Sequence, residues 1–139
     1  MVHRYASSVL VWLAISAGGA LGAVARWSIG EAVVVSGAGS TFPWETLIAN
    51  VAGCAAVGFL APVLIRRAAW VVGLVVTGFL GGFTTYSAFA EETFVLLDRG
   101  DVAGVALAGI YVLVTIAATS AAVAFGSRLA PAIADGGHA

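Results

Sequence analysis

Four long apolar stretches follow one another along the chain, separated by short polar runs: Val9 to Ile29, Trp44 to Ile65, Ala69 to Leu97 and Val102 to Phe125. Each matches or exceeds the roughly 20 residues that a helix needs to cross a hydrocarbon core. The third stretch differs from the others. Its middle, residues 78 to 89, reads GFLGGFTTYSAF, with paired glycines (Gly81, Gly82) and paired threonines (Thr84, Thr85). Glycine costs about 1 kcal/mol per helical position relative to alanine. The pattern therefore predicts a helix broken near 81–85, at the bilayer midplane. Lipid cannot satisfy backbone groups released by such a break, so it persists only inside protein or beside a polar cavity. Released carbonyls can hold a cation, and released amides or hydroxyls can meet an anion. The expected fold is an all-α membrane protein with four transmembrane helices in one domain spanning residues 1–139.

The connections are short. Residues 1 to 8 form a polar lead-in, and Glu31 to Pro43 reads as a Gly/Ser/Val-rich loop. Arg66-Arg67 marks the second connection, and Asp98-Arg99-Gly100-Asp101 a tight turn. Residues 130–139 read as a polar tail, where His138 stands alone and is not expected to bind metal. The first stretch has no clean cleavage context and is not expected to be a signal peptide.

Composition removes most other classes. The 139 residues are 61% hydrophobic and 9% charged, with a mean hydropathy of +1.06, which leaves no room for a soluble domain. A single cysteine, Cys54, excludes an intrachain disulfide and reads as a packing residue. Net charge is −1, and all six basic residues are arginines. With a cytoplasmic N-terminus, Arg4, Arg66, Arg67 and Arg128 lie inside, Arg99 lies outside, and Arg26 is near the outer end of the first stretch. That is a weak positive-inside bias, and it leaves insertion in both orientations open. Nucleic acid is not an expected partner. There is no His/Cys/Asp cluster, no usable Ser–His–Asp set and no phosphate loop, because GGFTT lacks the lysine and the strand–helix setting. No enzyme is expected.

The candidate residues lie on helical faces. In GGALGAVARW, Gly18, Gly22 and Arg26 fall at i, i+4 and i+8. The glycines allow close helix approach. Arg26, costly within a membrane, reads either as an anchor at a subunit interface or as an attractor of anions at a vestibule. In TLIANVAGCAAVGF, Thr46, Asn50, Cys54 and Gly58 share a face. Asn50 reads either as an interhelical clamp or as a donor lining a polar path, since its amide donates two hydrogen bonds and accepts on oxygen. Tyr111, Thr115 and Thr119 recur at i+4 and form either a ladder of hydroxyls or a set bonded back to their own helix. Tyr86 and Phe89 point in similar directions after the break, and ring edges are electropositive. Glu91 and Glu92 follow them, with at least one expected at an interface or vestibule. Trp44 and Trp70 fit interfacial anchors.

Taken together, GGALGAVARW, TLIANVAG and GFLGGFTTYSAFAEE, in this order and at these depths, resemble the Fluc (CrcB) family of small bacterial fluoride channels over the whole four-helix layout. The resemblance implies an antiparallel, dual-topology dimer in the bacterial inner membrane, formed by two copies of this chain or by this chain and a paired homologue. It implies a structural sodium ion at the dimer centre, held by backbone carbonyls of Gly81 and Thr84 from both subunits. It implies two fluoride paths built from Asn50, Tyr86, Phe89, Tyr111, Thr115 and Thr119. Arg26, Thr46, Thr85, Ser87 and Glu92 fall beside those paths or support them. The implied function is passive export of cytoplasmic fluoride, which lowers its toxicity. Tyr86 stands where the family usually has phenylalanine, and the extra hydroxyl is expected to change rate while leaving selectivity intact.

Two other readings compete. A small multidrug transporter has similar length and dual topology but needs an acidic residue in its first helix, and Val9 to Ile29 contains none. A non-transporting membrane subunit would not need Asn50, the third-helix break and the hydroxyl ladder together.

Overall fold

The computed structural model describes residues 2–35 and 42–134. Its elements are α1 (Val2–Val35), α2 (Trp44–Leu64), α3 (69–83), α4 (Tyr86–Leu97) and α5 (Val102–Ala134). Four spans are long and apolar enough to cross a membrane: Ser8–Val33, Trp44–Leu64, Ala69–Leu97 and Val102–Ala130. Large apolar side chains point away from the protein, with Trp12 69%, Leu113 71% and Phe125 62% exposed. Water would oppose such an arrangement. Lipid accepts it, because helices satisfy their own backbone. The chain is a multi-pass membrane protein.

Helices run beyond the stretches that hydropathy marks. α1 starts at Val2 and continues to Val35, so the lead-in and the start of the expected loop are helical. α5 continues to Ala134, past the expected end at Phe125 and into the expected tail. Hydropathy reports which part prefers lipid. Arg128, Leu129 and Ala130 beyond it are good helix formers in their own right. Residues 36–41 of the first loop and 135–139 of the tail, His138 included, lie outside the described residues. Between α4 and α5, Gly100 takes φ 69°, a left-handed conformation that glycine adopts without steric cost. Asp101 then caps α5 by accepting from Gly104 N at 2.6 Å.

α3 is not uniform. Ala69–Val72 and Gly81–Phe83 are α-helical, but Gly73–Leu80 between them is a π-helix, a wide form usually confined to single turns. This segment packs on α1 backbone to backbone. A Cβ at Gly18 would collide with the Leu74 carbonyl, and one at Gly22 with the Phe79 carbonyl. From the other side, a Cβ at Gly82 would meet the Gly19 carbonyl. α2 and α5 meet in the same manner through Gly58 and Gly126. Close backbone approach through small residues is how membrane helices gain contact where lipid supplies no hydrophobic drive. A small core of Leu47, Leu96, Ala108 and Tyr111 ties α2, α4 and α5 together.

Candidate functional site

The site is organised around the two residues between α3 and α4. Thr84 (φ −79°, ψ 153°) and Thr85 (φ −146°, ψ 126°) are extended, so the helical ladder of α3 ends with the Thr84 amide. Asn50 of α2, only 7% exposed, meets Thr85 with both ends of its amide. Its Oδ1 accepts from Thr85 N at 2.8 Å, and its Nδ2 donates to Thr85 O at 3.0 Å. The pair reproduces the two-bond exchange between antiparallel strands and satisfies groups that lipid could not. One N–H of Asn50 is left over, since the amide carries two. Thr85 Oγ1 caps α4 by accepting from Ala88 N at 3.2 Å and lies 3.2 Å from Ser87 Oγ. Thr84 N and Oγ1 both donate to Leu80 O, at 3.0 and 2.9 Å. Arg26 Nε donates to the Gly82 carbonyl at 3.4 Å. Gly18, Gly22 and Arg26 thus all meet α3 along one face of α1.

Outside the helices, no backbone hydrogen bond among the described residues ends on the carbonyl of Gly81 or Thr84. A Cβ at Gly81 would meet nothing within 4 Å, so space beside it is open. Neutral carbonyl oxygens are the kind of ligand that a hard cation prefers. Among the described residues no group of three or more His, Cys, Asp or Glu is placed to hold a metal.

Glu92 of α4 forms a second centre. Its Oε1 accepts from Thr46 Oγ1 and its Oε2 from Tyr111 OH, each at 2.6 Å. Three helices therefore converge on one carboxyl group. Thr46 is buried, and Tyr111 is fully enclosed, at 0% exposure. The Tyr111 ring lies 5.3 Å from Phe89, which in turn lies 5.9 Å from Tyr86. Glu92 lines two clefts, one shared with Arg26, Glu31 and Glu45, the other with Pro43, Glu91 and Arg99.

On α5 the three expected hydroxyls go separate ways. Tyr111 turns to Glu92. Thr119 Oγ1 donates to its own helix, to Thr115 O at 2.7 Å. Thr115 is 6% exposed, and its Oγ1 is buried with no partner among the described residues. A buried hydroxyl left unpaired is uncommon and costly. Tyr86 is 80% exposed, on the outer surface of the single chain.

The family described as "CrcB-like protein, Camphor Resistance (CrcB)" matches residues 13–127. The chain belongs to the CrcB-like family. A fluoride-specific ion channel FluC from Rhizobium johnstonii is 40% identical over 124 residues, covering 86% of this chain and 95% of the relative. Relatives of the same description come from Erythrobacter litoralis, 39% identical over 124 residues with 84% and 89% coverage, and from Bordetella petrii, 43% identical over 94 residues with 66% and 70% coverage. The family match takes in both centres, the Asn50–Thr85 pair and Glu92 with its two donors. Phe42, whose ring lies 5.4 Å from that of Tyr111, was not marked by sequence reasoning. The only signal was its place directly before Pro43. The Asn50–Thr85 bond was also hidden, because no periodicity relates residues 35 positions apart.

Proposed function

We propose that this chain is the subunit of a fluoride-selective channel that lets cytoplasmic fluoride leave passively across the bacterial inner membrane. The observation that carries the reading is the Thr115 hydroxyl, buried without a partner in a membrane span, in a chain whose relatives are described as fluoride-specific channels. An unpaired buried donor is costly in the resting protein and becomes useful when an anion arrives. Fluoride is small and holds water tightly, so a pore has to replace that water with short hydrogen bonds. The spare N–H of Asn50 and the hydroxyl of Thr115 are neutral donors of the right size, and Thr119 joins them when its O–H turns from the Thr115 carbonyl to the ion. The ring edges of Tyr86 and Phe89 add electropositive surface without a formal charge. Neutral donors hold the ion weakly enough for it to move on, which conduction requires. A narrow track of such groups rejects chloride by size. Thr46, Thr85, Ser87 and Glu92 stand beside the track, and Arg26 supports the interruption through the Gly82 carbonyl.

The working unit in this reading is an antiparallel dual-topology dimer, with the Thr84–Thr85 interruptions of both chains meeting at the bilayer midplane. Tyr86, exposed on one chain, is then covered by the other. The carbonyls of Gly81 and Thr84 from both chains would hold a sodium ion, whose charge raises the local potential for anions. The partner is a second copy or a paired homologue.

Efflux from liposomes reconstituted with purified protein tests the reading. Fluoride release that requires a potassium ionophore, with chloride retained, is the expected result. Folded protein that releases no fluoride, alone or with a paired homologue, overturns it.

A further inference from the structure

The segment before α2 plays no part in the reading above, yet it is built against the Glu92 centre. α2 begins after Pro43 with no side-chain cap, although the first amides of a helix need partners. In place of a cap there is a tight turn. Pro43 has φ −78° and ψ 74°, the geometry of an inverse γ-turn. Trp44 N closes it by donating to Phe42 O at 2.9 Å. Proline's ring presets that φ, so the turn is stiff. It folds Phe42 back over the start of α2, with its ring 4.6 Å from that of Trp44. The same ring stands at 88° to Tyr111, centroids 5.4 Å apart, the edge-to-face arrangement that aromatic pairs favour. Phe89 also packs on Tyr111. Between these two rings, Tyr111 directs its hydroxyl to Glu92 at 2.6 Å.

We propose that Phe42 is a positioning residue for transport: held by the Pro43 turn, it fixes the Tyr111 ring so that the phenol stays on Glu92. The proposal rests on the fluoride-channel reading, because its consequence is a transport rate. Phe42 touches neither Glu92 nor Asn50 through any hydrogen bond, and its reach to the site runs through Tyr111. Loss of the ring would let Tyr111 move. Glu92 would keep only the Thr46 donor, and water from the cleft that it lines with Pro43 and Glu45 would take the place of the phenol.

A Phe42→Leu, Tyr111→Phe double-mutant cycle on fluoride efflux separates positioning from simple filling of space. Phe42→Leu is expected to lower efflux about fivefold, the order of one aromatic pair. The double variant is expected to be no slower than Tyr111→Phe alone. Phe42→Tyr, which keeps the ring, restores the rate, and Pro43→Ala repeats the Phe42→Leu effect more weakly. Effects that multiply, or a Phe42→Leu rate equal to wild type, overturn the proposal. Nitration of Tyr111 by tetranitromethane, mapped by mass spectrometry, checks the geometry without transport. Tyr111 should be protected in wild type and modified in Phe42→Leu and Pro43→Ala. Equal protection in all three sinks the positioning role. Absence of fluoride efflux from wild type, by contrast, sinks the channel reading while the nitration result still decides the role of Phe42.

Discussion

At the scale of single residues, Asn50 carries the greatest burden. It is the sole side chain described as meeting both backbone groups of Thr85, so the clamp and the donor lining a path are two uses of one amide. Asn50→Ala leaves the part-buried N–H and carbonyl of Thr85 without their partner, at up to about 1–3 kcal/mol each. The expected outcome is a lowered thermal midpoint of the protein in detergent together with loss of fluoride efflux. An unchanged midpoint would mean that Thr85 does not depend on Asn50. Thr115 makes the opposite case. Its hydroxyl has no partner to lose among the described residues, so in the proposed channel its value would lie in binding rather than in folding. Thr119, bonded back to Thr115 O, behaves as hydroxyls in membrane helices commonly do.

At the scale of elements, the contact between α1 and α3 is made backbone to backbone. Gly18 and Gly22 let the π-helical Gly73–Leu80 approach until backbones touch, and Arg26 continues the same face to Gly82. Alanine in place of glycine ordinarily favours a helix by about 1 kcal/mol. Gly22→Ala should do the reverse, since its Cβ would collide with the Phe79 carbonyl and lie 2.8 Å from Phe83 N. The expected result is a lower thermal midpoint and reduced folded yield. Gly109→Ala is the comparison, with nothing within 4 Å of its Cβ in one chain. It should leave the midpoint equal or higher, and a loss there would show that a second chain covers α5 at that point.

At the scale of the whole molecule, the outward apolar surface and the small interior describe a chain whose solvent is lipid. The arginine distribution carries only a weak bias, which leaves open the dual insertion that the proposed dimer needs. Asp98 lies exposed in the turn between α4 and α5. In a Cys54→Ser background, Asp98→Cys should react with an impermeant maleimide from both sides of the membrane. Labelling from one side alone would mean a fixed orientation and a paired homologue of opposite orientation.

Hydropathy by itself determined the four spans, because apolar length against bilayer thickness is a property of local sequence. Glycine spacing on α1 was legible for the same reason, since i+4 steps define a face, and GGFTT marked the unusual part of the third span. The motifs placed Thr46, Asn50, Glu92 and Tyr111 in sequence without saying which would touch. Only the tertiary structure decided that Asn50 reaches Thr85, that Glu92 takes donors from α2 and α5, and that Phe42 leans on Tyr111. The π-helical form of Gly73–Leu80 was equally hidden. Each of these depends on side chains or backbones from distant parts of the chain arriving at one point, and hydrogen-bond geometry at 2.6 to 3.0 Å is set by how helices pack rather than by any local preference.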